Sequence, residues 1–179
     1  MEIIGKTELP FPREEIWQHL NDPDILRLSV PDCQSLEAES DSKLVATVVA
    51  KVGPIKATFN GEAVISDSVP PESYTLTANG KGGVAGFASA VIKVKLTDKG
   101  DSTELEYSVA ANLGGKLAQL GTRLIESTAR KWADKFFNQF SEVVAGGGQA
   151  PAASSSEPGF FARICAAIKG LFSSSKTAS

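Results

Sequence analysis

Residues 114–144, GGKLAQLGTRLIESTARKWADKFFNQFSEVV, run without a proline and with a single glycine, Gly121, after the opening pair. On a helical wheel Leu117, Leu120, Leu124, Ile125, Thr128, Trp132 and Phe136 share one side. Lys116, Gln119, Arg123, Glu126, Arg130 and Asp134 share the other. This is the 3.6-residue period of an amphipathic helix. At 1.5 Å per residue the stretch would extend about 45 Å. A helix that long needs a large apolar surface to cover, and nothing after it can supply one. The surface has to come from upstream.

Upstream, the sequence period is two. Residues 2–9 read as a strand ended by Pro10. Pro12 then suits the first turn of a short helix with Ile16, Trp17 and Leu20 on its inner stripe. Asp22 can cap a second short helix opening on Pro23, with Leu26 and Leu28 facing inward. Six further strands follow at 34–39, 44–52, 54–67, 73–80, 84–96 and 103–113. Turn chemistry separates them: Asp41-Ser42, Gly53-Pro54, Pro70-Pro71, Gly82-Gly83 and Lys99-Gly100-Asp101. Connections this short make the sheet antiparallel. The chain is therefore expected to be α+β, with a curved seven-stranded antiparallel sheet around one long helix, two short helices and a separate tail.

Alternation assigns the buried side of each strand. In residues 54–67 the odd positions Ile55, Ala57, Phe59, Gly61, Ala63 and Ile65 point in, because Lys56, Asn60 and Glu62 occupy the even ones. The same logic over residues 44–113 gives 27 inward positions, of which eleven are Ala or Gly. So small a lining either lets the helix sit very close or leaves a void, since interiors otherwise pack at a density of about 0.75. Both readings stand on residues alone. A void would suit a lipophilic guest held by few polar contacts. Its expected lining is Phe59, Tyr74, Ala90 and Tyr107 from the sheet and Leu117, Leu120, Gly121 and Leu124 from the helix. Phe87, in the glycine-rich GKGGVAG turn, is expected at the mouth.

The chain is expected to divide into a folded body at 1–145, a Gly/Ala/Ser/Pro linker at 146–158, an amphipathic helix at 159–173 and a disordered end at 174–179. In the tail helix Phe160, Phe161, Ile164, Ile168, Leu171 and Phe172 form the apolar side, while Arg163 and Lys169 fall opposite. It is shorter than the roughly 20 apolar residues that span a bilayer. An in-plane helix fits, with its apolar face in the acyl boundary and its cations toward anionic headgroups. Docking on a protein partner is the competing reading. Residues 146–179 carry Arg163, Lys169 and Lys176 against Glu157, a charge of +2, so the net charge of −3 leaves −5 on the body.

Little points to catalysis. His19 is the only histidine, so no nucleophile and base can be assembled around Cys33 or a serine, and no metal-ligand spacing occurs. GKGGVAG lacks the Lys-Ser/Thr ending of a phosphate-binding loop. An acidic balance gives no field for nucleic acid. MEIIGKTELP has no signal-peptide pattern, and Cys33 and Cys165 are expected to be reduced in the cytoplasm.

Four motifs carry a family resemblance: DPDILRLSVPDC (22–33), KVGPIKATFNGEA (51–63), GKGGVAGFASA (80–90) and GGKLAQLGTRLIESTARKWADKFFNQF (114–140). In order along the domain they resemble the carbon monoxide dehydrogenase subunit family CoxG. That family lies within the START-like (SRPBCC, Bet v 1-like) helix-grip superfamily. One departure is Asp32, where the family commonly has glycine. The resemblance implies a non-catalytic accessory protein that holds a molybdenum hydroxylase of the carbon monoxide dehydrogenase type at the inner face of the cytoplasmic membrane. It also implies a ligand cavity. Such an enzyme passes electrons onward, so a bound quinone or other lipid is the expected guest, with no covalent cofactor. The alternatives are a membrane adaptor with no ligand and, from the cyclases among helix-grip relatives, a small enzyme.

Overall fold

The computed structural model describes residues 1–148. The expected linker from residue 149 on, the amphipathic tail with its membrane-facing residues Phe160 to Phe172, and the C-terminal end lie outside the described residues. The chain runs β1 (Glu2–Leu9), α1 (Arg13–Leu20), α2 (Pro23–Ser29), β2 (Cys33–Ser40), β3 (Lys43–Val52), β4 (Ile55–Val69), β5 (Ser73–Lys81), β6 (Phe87–Asp98), β7 (Thr103–Gly114) and α3 (Thr122–Ala145). All seven strands pair antiparallel in the order β1-β7-β6-β5-β4-β3-β2. The two edge strands are thus the ones joined through α1 and α2.

Local chemistry explains the entry to these elements. Asp22 caps α2: its Oδ1 accepts the backbone N–H groups of Asp24 (2.9 Å) and Ile25 (3.4 Å), and Pro23 opens the helix. Pro12 stands at the N-cap of α1, one position before the expected first turn. In α2 the fully buried side chains are Ile25 and Ser29, with Leu26 and Leu28 only half-buried. The Ser29 hydroxyl is satisfied within the helix, donating to the Ile25 carbonyl at 2.7 Å.

The sheet curls so that both edges reach α3. Arg130 Nη1 donates to the Ile4 carbonyl of β1 at 3.3 Å. Little more than one turn later, Lys135 Nζ lies 3.5 Å from Asp32 Oδ2, just ahead of β2. The core sits at one end of this grip. There Phe140 and Val143 of α3 meet Leu9, Ile16, Leu20, Leu96 and Leu105, all buried. At about 1.5–3 kcal/mol per large apolar side chain, this closed end supplies most of the cohesion between helix and sheet.

Two expected elements differ. The helix over 114–144 is not continuous: β7 persists to Gly114, a short 3-10 turn spans Leu117–Leu120, and α3 begins only at Thr122. Gly121 breaks it, at φ 84° and ψ 146°, a region essentially reserved for glycine. The helix proper is therefore about 36 Å long. Likewise β6 starts at Phe87, because Gly83–Ala85 form a 3-10 turn, and Val84 faces solvent rather than the interior.

Candidate functional site

The pairing register converts the small inward residues into a contiguous surface. One row across the sheet reads Leu44, Ala63, Ala78, Ala90, Ala111. The adjacent row reads Ala46, Gly61, Gly80, Ala88, Leu113. Toward the closed end the next rows enlarge abruptly, to Ile65, Leu76, Ile92, Val109, Ile3 and then Tyr74, Val94, Tyr107. The sheet thus has a shallow-sided floor of Ala and Gly at one end and a wall of large side chains at the other. Gly61 is fixed by packing, because a Cβ there would come within 2.5 Å of the Asn79 carbonyl oxygen.

The N-terminal half of α3 lies over this floor without sealing it. Leu124 reaches the β3–β4 turn, where a Cβ on Gly53 would come 2.8 Å from its Cδ2. Leu124 still exposes 37% of its surface and Trp132 41%, whereas Phe140 at the other end exposes none. The floor residues themselves are half-buried. Trp132 stacks on Phe136 with centroids 6.0 Å apart and planes within 5°. The Thr128 hydroxyl donates to the Leu124 carbonyl at 2.8 Å, so the helix satisfies its own polar group above the floor. The floor rows contain no ionisable side chain. Among the described residues no group of three or more His, Cys, Asp or Glu could hold a metal, and no helix is long and apolar enough to cross a membrane.

The expected lining residues are brought together only in part. Phe59, Ala90 and Leu124 border the open region; the Phe59 ring packs over Gly82, which has no side chain to obstruct it. Tyr74 is deeper, buried in the closed core edge-on to Trp17 at 5.6 Å, and burial pushes its phenol above the usual tyrosine range. Tyr107 covers Gly5 and packs 5.6 Å from Phe137. Its phenol is raised by burial and by the Asp134 carboxylate, against the opposing Arg130. Leu117 is buried in the 3-10 turn, Leu120 is half-buried beside it, and Gly121 is exposed, with open space where a side chain would point. None of these three lies on the long helix. Phe87 does not face the interior. Strand alternation sets it opposite Ala88 and Ala90, and its ring covers Gly114 on the outer face. Trp132, omitted from the expected set, shares the apolar stripe of α3 with Leu124 and Phe136 and stays exposed. The outer face also carries an open depression of about 810 Å³ bordered by Lys6, Glu72, Lys93, Lys95 and Glu106. Its border mixes these charges with apolar groups such as Ile4, unlike the uncharged floor.

A curved antiparallel sheet gripping one long helix, closed at one end and lined by small apolar residues at the other, is the helix-grip architecture of START-like proteins. The model of the carbon monoxide dehydrogenase subunit family CoxG matches residues 5–145, and the chain belongs to that family. A conserved protein from Geobacillus kaustophilus is 32% identical, with a TM-score of 0.77 over 82% of this chain and 97% of its own. A START superfamily protein from Mycobacterium smegmatis is 12% identical, with a TM-score of 0.65 over 81% of this chain and 97% of its own. Ara h 8.0201 is 16% identical, with a TM-score of 0.62 over 82% of this chain and 98% of its own. At these lower identities the likeness concerns the fold. A search of curated proteins gives no match.

Proposed function

We propose that this protein is a non-catalytic carrier of a lipophilic molecule that serves a molybdenum hydroxylase of the carbon monoxide dehydrogenase type. The guest lies between the Ala/Gly floor and the N-terminal half of α3. A quinone is the guest we favour, because the partner enzyme must hand electrons to a membrane acceptor. The segment at 159–173 holds the carrier at the inner face of the cytoplasmic membrane, apolar side in the bilayer and Arg163 and Lys169 at the headgroups. The family name supports the partner.

The observation that carries the ligand reading is the pairing of a small-residue floor with two large apolar side chains, Leu124 and Trp132, left exposed above it. Exposing them costs hydrophobic free energy that a guest would recover, roughly 25 cal/mol for each Å² covered. Trp132 also provides the test, since Trp17 is the only other tryptophan and sits against Tyr74 in the closed core. Titrating detergent-solubilised quinone into the full-length protein should quench tryptophan emission saturably. Trp132→Phe should remove most of that quenching. Emission that never saturates, or that Trp17 alone accounts for, would contradict the reading.

A further inference from the structure

The open end of the grip has a charge of its own. Three turns meet there: the β3–β4 hairpin at Gly53-Pro54, the β5–β6 turn at 82–86, and the 115–121 passage into α3. They are joined by close contacts. Gly86 and Gly115 approach so tightly that neither could carry a side chain, and Leu124 touches Gly53. Around this end stand Lys51 and Lys56, paired across the hairpin, with Lys81, Lys116 and Arg123. All five are exposed, and none lies within salt-bridge distance of a carboxylate among the described residues. The nearest carboxylates along the chain and register are Glu62, diagonal to Lys81 but engaged by Lys43, Asp32, engaged by Lys135, and Glu126, one turn into α3. The opposite end of the sheet carries Asp67, Glu72, Asp98, Asp101 and Glu104 in and beside its turns. That end also holds Lys43, Lys95 and Lys99, whereas the three segments of the open end, 50–60, 80–90 and 114–123, contain no carboxylate.

The same end exposes apolar side chains. Val84, at the crest of its 3-10 turn, is 85% exposed, and Phe87 beside it 46%. Uncompensated cations around protruding apolar groups are the pattern of a surface that meets anionic lipid headgroups while its apolar crest enters the acyl boundary. We infer that this end of the domain is itself a bilayer-docking surface for anionic phospholipid, separate from the segment at 159–173. It places the open floor against the membrane. The use of that placement, passage of the guest, rests on the carrier reading; the docking does not.

The test uses flotation with vesicles of phosphatidylcholine alone or mixed equally with phosphatidylglycerol. Two chains are compared: the full-length protein, and one ending at Gly148. The shorter chain is a sound folding unit, because the Geobacillus relative folds as this domain over 97% of its length. The shorter chain should float with the phosphatidylglycerol vesicles, not with phosphatidylcholine alone, and high salt should release it. Lys51→Glu/Lys56→Glu/Lys81→Glu should weaken that binding at least about tenfold. Val84→Ser, which removes the apolar contact and adds no charge, should weaken it without changing the salt dependence. Thermal melts should match wild type, since all four positions are exposed. If the shorter chain fails to float at low salt, or the triple variant floats as well as its parent, the inference is wrong and the cations serve a protein partner or nothing. Quinone titration of the triple variant in detergent separates the two proposals. Normal uptake with lost flotation supports docking. Lost uptake in wild type with intact flotation overturns the carrier alone.

Discussion

At the scale of single residues, Asp32 shows how a departure from a family pattern is accommodated. Its φ is 54°, in the left-handed region that favours glycine and tolerates aspartate. The Asp32 carbonyl accepts the Val49 N–H at 3.1 Å and its carboxylate meets Lys135, so the position is held from both sides. Asp32→Gly should therefore change stability by less than about 1 kcal/mol, the relief of backbone strain offsetting added freedom of the unfolded chain. Asp32→Val should cost about 1–2 kcal/mol, because a β-branched residue adopts this conformation poorly. Urea unfolding of the pair decides it; equal midpoints for valine and wild type would mean the turn is not held as described. Tyr74 gives the pH response. Burial raises its phenol above the ordinary value of 10.0, so the folded state keeps a proton the unfolded state releases. Stability is then full below about pH 10 and falls as pH rises beyond it. Tyr74→Phe, which keeps the ring against Trp17, should flatten that alkaline decline. An unchanged pH profile would show the hydroxyl to be solvated.

At the scale of elements, much of the fold was legible and the misses have causes. Residues 55–66 alternate between half-buried and exposed as their side chains dictate, because Lys, Asn and Glu on one face leave only one way to orient the strand. Asp22-Pro23 marked a helix start since both residues act through local backbone chemistry. The start of α3 was illegible for a geometric reason. Leu117 and Leu120 are three apart, a spacing that shares one face in a 3-10 turn as well as in an α-helix, so periodicity alone cannot separate them. What decides is Gly121, whose conformation no side chain adopts easily. Nothing lies within 4 Å of a Cβ built there, so the penalty for substitution is conformational and not steric. Gly121→Ala should cost about 1–3 kcal/mol. A melt identical to wild type would mean the helix can start earlier after all. The outward orientation of Phe87 was legible: Ala88 and Ala90 facing in require their neighbour to face out.

At the scale of the molecule, the floor could be foreseen only as a composition. That Ala63, Ala78, Ala90 and Ala111 would form one unbroken row depended on register, which strand order and turn length fix together. The closed end is rich in large side chains and supplies the cohesion; the open end gives up packing density and gains room. A body arranged this way can remain folded while part of its apolar interior is exposed, which a carrier needs and a plain adaptor does not. Enlarging the floor by Ala78→Leu/Ala90→Leu should leave the closed core intact and fill the room. The most direct measurement is solvent extraction of purified full-length protein, wild type and this double variant side by side, followed by mass spectrometry. The expected result is a stoichiometric isoprenoid quinone or other lipid from the wild type and its loss from the double variant. An empty extract from wild-type protein that still binds vesicles would contradict the carrier and leave a membrane adaptor with an open groove.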